Sequence, residues 1–197
     1  MDETAASLSI PVILGSVRRD RMGIRAARLM MAELAARGHQ PVLVDPIVEQ
    51  LPLLDRMYKE YPKGQAPPGL ERLAELYRRA DGFMIVSAEY NNGIPPALKN
   101  LLDHFLEEYF WRPSAIVCYS AGQFGGVRAA MQLRMTLAEL GMSSIPSIFP
   151  IPRIAQALDS EGHPTEDWVA GRLDRFLNEF FWYARAMKRE RADGTPY

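Results

Sequence analysis

Along this chain, short continuous apolar runs alternate with stretches whose apolar residues recur at helical spacing. Residues 8–14 (LSIPVIL) predict a buried strand, with Pro11 at a position that needs no ladder donor. Residues 23–37 are rich in Ala, Leu, Met and Arg and predict a helix, which Gly38 stops. Residues 41–45 (PVLVD) predict a second strand, and 46–69, rich in proline and without a clean period, a long irregular connection. A helix over 70–80 and a third strand over 82–87 (GFMIVS) follow. Residues 96–108 predict a helix that opens on proline, where the missing donor costs nothing. A fourth strand over 114–119, a helix over 126–140, a fifth strand over 144–149 and a closing helix over 166–189 complete the order.

Strand alternating with helix five times implies a parallel sheet covered on both faces. The strands are continuous apolar runs, as two-sided burial requires. Right-handed crossovers leave few topologies. The expectation is an α/β doubly wound sheet in the order 2-1-3-4-5, for which flavodoxin is the standard example. The chain reads as one domain over 1–197, with its core at about 8–187 and a tail at 188–197.

Ligands of such sheets bind outside the carboxyl ends of the strands, so the loops after the strands carry the chemistry. Three are unusual. After the first strand, Gly15-Ser16-Val17-Arg18-Arg19-Asp20-Arg21-Met22-Gly23 leads into a helix start, whose free N–H groups and positive dipole end suit a phosphate. It matches neither GxGxxG nor GxxxxGK[ST]. After the third strand, Glu89-Tyr90-Asn91-Asn92-Gly93 offers one aromatic ring and several hydrogen-bonding groups, and is also good turn chemistry. After the fourth, Ser120-Ala121-Gly122-Gln123-Phe124-Gly125-Gly126 permits close backbone approach to a ligand, or a plain turn.

Charge narrows the partners. Lys and Arg number 23 against 24 Asp and Glu, a net charge of −1, so no basic field draws nucleic acid. The single cysteine, Cys118, excludes a disulfide framework and a multi-thiolate metal site. His39, His104 and His163 form no metal-binding spacing, and Asp103-His104 reads as helix surface or interface. Lys188-Arg189-Glu190-Arg191 reads as a solvated helix end. No apolar run reaches the ~20 residues that span a membrane, and Met1-Asp2-Glu3-Thr4 is unlike the basic start of a secretory signal. A cytoplasmic protein is expected.

GSVRRDRMG, EYNNGIPPALKNLLD and SAGQFGGVRAA, in this order and after these strands, resemble the NADPH-dependent FMN reductase family from about residue 10 to 149. The resemblance implies a flavoenzyme that passes hydride from NADPH or NADH to bound FMN, then to quinone, azo, flavin or metal-ion acceptors. It implies that Ser16, Arg18, Arg21, Met22 and Gly23 hold the FMN phosphate. Glu89, Tyr90 and Asn91 would line the isoalloxazine ring, and Ser120, Gly122, Gly125 and Gly126 its opposite edge. Lys99 and Asn100 match the pattern as structural residues. Two departures stand out: Ala88 replaces a common proline, and Arg21-Met22-Gly23 replaces a stretch that commonly carries a second serine. No side chain is required as an acid or base in the reductive step.

The run Leu101, Leu102, Phe105, Leu106, Tyr109, Phe110, Trp111 holds more apolar surface than one sheet face should need. With the resemblance, it predicts a homodimer or a dimer of dimers (a homotetramer). The rival reading is a flavin-binding electron carrier without nicotinamide activity. Such carriers are often strongly acidic, and this chain is not.

Overall fold

The structure is a computed structural model that describes residues 7–197. The polar start Met1-Asp2-Glu3-Thr4 lies outside the described residues. Five parallel strands form one sheet: β1 (Ser9–Leu14), β2 (Gln40–Val44), β3 (Phe83–Ala88), β4 (Pro113–Tyr119) and β5 (Ser143–Ile151), in the order β2-β1-β3-β4-β5. This is the expected flavodoxin-like topology. The pattern of burial follows from it. β3 and β4 are buried at every position, whereas the edge strands β2 and β5 are partly exposed. Prolines at Pro41, Pro146 and Pro150 fall on those edges, where a missing donor is tolerated and further pairing is discouraged. Pro11 is in a central strand, but the β1–β3 register starts one residue later, at Val12.

Side chains alternate between two cores. Ile10, Val12, Leu14, Met84 and Val86 meet helices α1 (Gly23–Ala36) and the long closing helix (Asp167–Ala192). Ile13, Phe83, Ile85, Ile116 and Cys118 belong to the opposite core, with the helices Pro68–Arg79, Pro96–Asp103 and Val127–Glu139. Counting the short helices Pro46–Glu49 (α2) and Ile154–Ala157 (α6), these are α3, α4, α5 and, for the closing helix, α7.

Four expectations need correction. The helix expected over 96–108 ends at Asp103 and gives way to a 3-10 turn at Glu107–Tyr109. Leaving the helix lets Phe105 and Tyr109 pack on Tyr77, with ring centroids 5.0 and 5.4 Å away, and Tyr109 on Phe83 at 5.2 Å. Leu101, Leu102, Phe105 and Tyr109 are therefore buried within the protomer. Most of the apolar surface that suggests an oligomer is thus absorbed by the chain's own core, with Leu106, Phe110 and Trp111 left half-buried. Second, His104 is buried rather than on the surface, with Nδ1 2.7 Å from the Asn100 carbonyl. Third, the 46–69 connection is partly regular. Asp45 caps α2 by accepting from Ile47 N at 2.9 Å, a 3-10 turn forms at Tyr58–Glu60, and α3 already begins at Pro68. Asn100 pins this connection, accepting from Leu54 N and donating to the Pro52 carbonyl.

Fourth, α7 continues through Lys188–Arg191 to Ala192, and its end is not merely solvated. Lys188 Nζ lies 2.9 Å from the buried carboxylate of Asp81, and Arg191 reaches the same carboxylate and the Trp111 carbonyl. Asp81 also accepts from Ser9 N, so this group ties α7 to the amino edge of the sheet. The opposite edge carries the site.

Candidate active site

The loops after β1, β3 and β4 converge at the carboxyl edge and enclose a solvent-open cleft of about 290 Å³. That is at the lower edge of the ~300–1,000 Å³ range of small-molecule sites. Of the residues expected from sequence, Ser16, Arg18, Arg21, Met22, Glu89, Tyr90 and Ser120 line it. Gly23, Asn91, Gly122, Gly125 and Gly126 do not, and each does something else.

In the first loop, Gly15 N donates to the Val86 carbonyl at 2.9 Å, which fixes the loop root to β3. Ser16 is buried, and its Oγ lies 2.6 Å from the hydroxyl of Tyr90. Arg21 is committed elsewhere. Its guanidinium forks onto the Asp45 carboxylate and donates to the Ser16 carbonyl at 2.7 Å. Arg18 is exposed and carries no ion pair among the described residues; its guanidinium carbon stands 5.8 Å from the Tyr90 ring centroid. The start of α1 faces this loop. Its N-cap residue, Met22, offers no capping bond, and its first turn holds no acidic residue. Its N–H groups and positive dipole end are thus available to an anion.

Gly23 explains why the helix can start there. A Cβ on Gly23 would stand 2.2 Å from the phenolic oxygen of Tyr119. Tyr119 also lines the cleft, although no motif marks it in the sequence. Burial pushes its phenol up to about 12, with the neighbouring Ser16 hydroxyl opposing less strongly. Ser16, Tyr90 and Tyr119 form a hydroxyl cluster at the foot of the cleft.

In the second loop, Tyr90 and Gly93 exchange both backbone hydrogen bonds, at 3.0 and 2.9 Å. Asn91 and Asn92 between them have φ of 50° and 66°, the signature of a type I′ turn. Asn91 is at the exposed tip of that turn. Glu89 reaches across to α5, accepting from Arg128 N at 2.9 Å and Ala129 N at 3.1 Å. Its carboxylate is a remote cap for a helix whose own N-cap, Gly126, has no side chain to offer.

In the third loop, Ser120 Oγ donates to the Gly122 carbonyl and accepts from Gly125 N, both at 2.9 Å. Gly125 and Gly126 have φ of 63° and 79°. A Cβ on Gly126 would stand 2.8 Å from the Tyr119 carbonyl, so this glycine serves the strand-to-helix turn. Gly122 faces open space. Cys118, one residue before Tyr119, is sealed in the core, and burial pushes its thiol up to about 12, outside the reactive range.

A model of the NADPH-dependent FMN reductase family matches residues 8–156, which include all three loops. The chain belongs to this family. It is an oxidoreductase that works with FMN and NAD(P)H, and the electron-carrier reading gives way to that of an enzyme. A quinone reductase from Pseudomonas putida is 33% identical over 180 residues, covering 87% of this chain and 92% of the relative. A 2-hydroxy-1,4-benzoquinone reductase from a Burkholderia species is 29% identical over 186 residues, covering 91% and 97%. Among solved structures, the flavoenzyme NAD(P)H:acceptor oxidoreductase FerB from Paracoccus denitrificans superposes with a TM-score of 0.74 at 20% identity, covering 91% of this chain and 98% of that one. The last likeness bears on the fold.

The residues present fit FMN. An uncapped helix start beside an unpaired arginine suits its phosphate, and a cleft walled by Tyr90 suits its planar ring.

Proposed function

We propose that the cleft holds FMN and that NAD(P)H and a small quinone-type acceptor use it in turn. One observation carries this reading: the uncapped start of α1, the unpaired Arg18 and the ring of Tyr90 all border a single cleft. FMN, when bound, supplies a ring that accepts and returns a hydride, while the chain binds and orients it. Arg18 and the first N–H groups of α1 hold the phosphate. Arg21 keeps the loop in shape through Asp45 and the Ser16 carbonyl, and so acts on the phosphate site indirectly. The Ser16 hydroxyl fixes the orientation of Tyr90, which presents its ring to the flavin. Glu89 ties the second loop to α5 and keeps the two sides of the cleft in register. Ser120 borders the far edge of the ring, and Gly122, Gly125 and Gly126 shape the loop that carries it. Asn91 contributes through the turn it builds.

The names of two relatives, quinone reductase and 2-hydroxy-1,4-benzoquinone reductase, favour quinones as acceptors. One cleft for both substrates implies alternation. Initial rates against NAD(P)H at several quinone concentrations then give parallel lines, and excess quinone inhibits by blocking the nicotinamide. Intersecting lines would refute the shared cleft.

A homodimer or dimer of dimers, acting in the cytoplasm, completes the proposal. Its support is the family resemblance, with the exposed Phe124, Met131 and Met135 as the candidate contact in place of the buried 101–109 run. A monomer mass by light scattering at micromolar concentration would refute it.

A further inference from the structure

A second cavity, of about 260 Å³, opens beside the cleft, lined among others by Gln123, Arg153, Gln156, Glu166 and Trp168. The two spaces share a wall. Arg153 N donates to the Gly122 carbonyl at 2.9 Å, and Ile154 N to the Ser120 carbonyl at 3.1 Å. Ser120 and Ile154 border the cleft, and Arg153 borders the second cavity.

Three residues give this cavity its chemistry. Arg153 is held in the left-handed region, at φ 46° and ψ 52°, which a residue with a side chain adopts only at a cost. Its guanidinium makes no ion pair or hydrogen bond among the described residues. Glu166 stands at the N-cap of α7 yet makes no capping bond. Trp168 is only partly buried, with Phe149 at 6.5 Å between ring centroids, the Arg172 guanidinium 5.4 Å from its ring centroid, and the rest of the indole bordering the cavity.

We infer that this cavity takes the adenylate half of the nicotinamide dinucleotide, an inference that rests on the reductase reading above. The chemistry matches part by part. A purine packs against the part of the Trp168 indole that borders the cavity, beside Arg172, a contact available to any base. The Arg153 guanidinium pairs with the adenylate phosphate. The Glu166 carboxylate accepts from the exocyclic amine, and the amides of Gln123 and Gln156 can both donate and accept along the ring edge. The shared wall lets one extended molecule lay its nicotinamide in the cleft and its adenine beyond Gly122. No dinucleotide motif in the sequence provides for the adenosine end, and this cavity is where the fold supplies one.

The test has two arms. Calorimetry of AMP against the FMN-loaded protein measures adenylate binding without turnover, in wild type, Arg153→Gln and Trp168→Leu. Expected is saturable binding to wild type that weakens roughly tenfold or more in each variant, with FMN affinity unchanged as the check on folding. In the second arm, the efficiency with NADH is divided by that with reduced nicotinamide mononucleotide, which lacks the adenylate. The ratio is expected to fall roughly tenfold in each variant. AMP that fails to bind wild type, or binds all three proteins alike, or a ratio that stays constant, would overturn the inference. A protein that oxidises neither nucleotide fails the reductase reading instead, while the AMP titration still decides the cavity.

Discussion

Gly23, the first residue of α1, meets the phenol of Tyr119 at the end of β4 so closely that no Cβ fits between them. This contact brings the helix start against the hydroxyl cluster of Ser16, Tyr90 and Tyr119. It links the phosphate side of the cleft to the ring side. Gly23→Ala is expected to displace Tyr119, at roughly 1–3 kcal/mol of overpacking. FMN affinity should fall with it. Adding Tyr119→Phe removes the nearest clashing atom, so the double variant should be less impaired than the two single effects summed. Strict additivity in denaturation and FMN titration would show that the contact is unimportant.

The two arginines of the first loop should separate cleanly. Arg18→Ala removes a charge-assisted contact to phosphate, about 1.5–3 kcal/mol, or roughly ten- to a hundred-fold in FMN affinity. It should leave the stability of the apo protein nearly unchanged, because Arg18 is exposed and unpaired. Arg21→Ala should act chiefly on stability, with a smaller, indirect loss of FMN affinity. It orphans the largely buried Asp45 carboxylate, so apo stability drops towards the roughly 3–5 kcal/mol of a broken buried pair. Equal losses of stability in the two variants would contradict these roles.

Glu89 is expected to matter through α5. Glu89→Ala leaves two backbone donors without their acceptor and should cost roughly 1–3 kcal/mol. Glu89→Gln keeps one acceptor oxygen and should cost less. Thermal melts of the apo proteins read this directly, and an unaltered melt for Glu89→Ala would rule the cap out.

His39 sets a pH dependence far from the cleft. Its Nδ1 accepts the Leu8 N–H, so the ring is neutral with its hydrogen on Nε2. Desolvation, then Arg185 and Arg37, hold its pKa below the ordinary 6.5, with Asp81 opposing. The unfolded chain therefore binds the extra proton first as pH falls through 6.5. Stability should decline below pH 6.5, down to the lowered folded pKa, and this contribution should be flat above 6.5. His39→Gln keeps an acceptor for Leu8 and should show a shallower decline in urea unfolding between pH 5 and 7.5. Parallel profiles for the two proteins would contradict this.

What the sequence revealed and what it hid have physical causes. The sheet order was legible because β3 and β4 are buried on both faces and so read as unbroken apolar runs. The three loops were legible because each breaks such a run with Gly, Asn or Ser. The pairing of Arg21 with Asp45 was not, since it joins residues brought together only by the β1–β2 crossover. Residues 101–109 looked like an interface because nothing in one dimension reveals that Tyr77 and Phe83 wait for Phe105 and Tyr109. Tyr119 left one clue: a glycine at the first position of a helix, where a better helix former would serve unless something presses against it.

The central claim is that the three-loop cleft holds FMN where NAD(P)H can reduce it. Anaerobic mixing of the FMN-loaded protein with NADPH, and separately with NADH, tests it with no acceptor present. The flavin absorbance band is expected to bleach in a single turnover with at least one of the two. Arg18→Ala should bleach only at FMN concentrations high enough to refill its weakened site. Persistence of the oxidised band with both nucleotides in the wild-type protein would contradict the account.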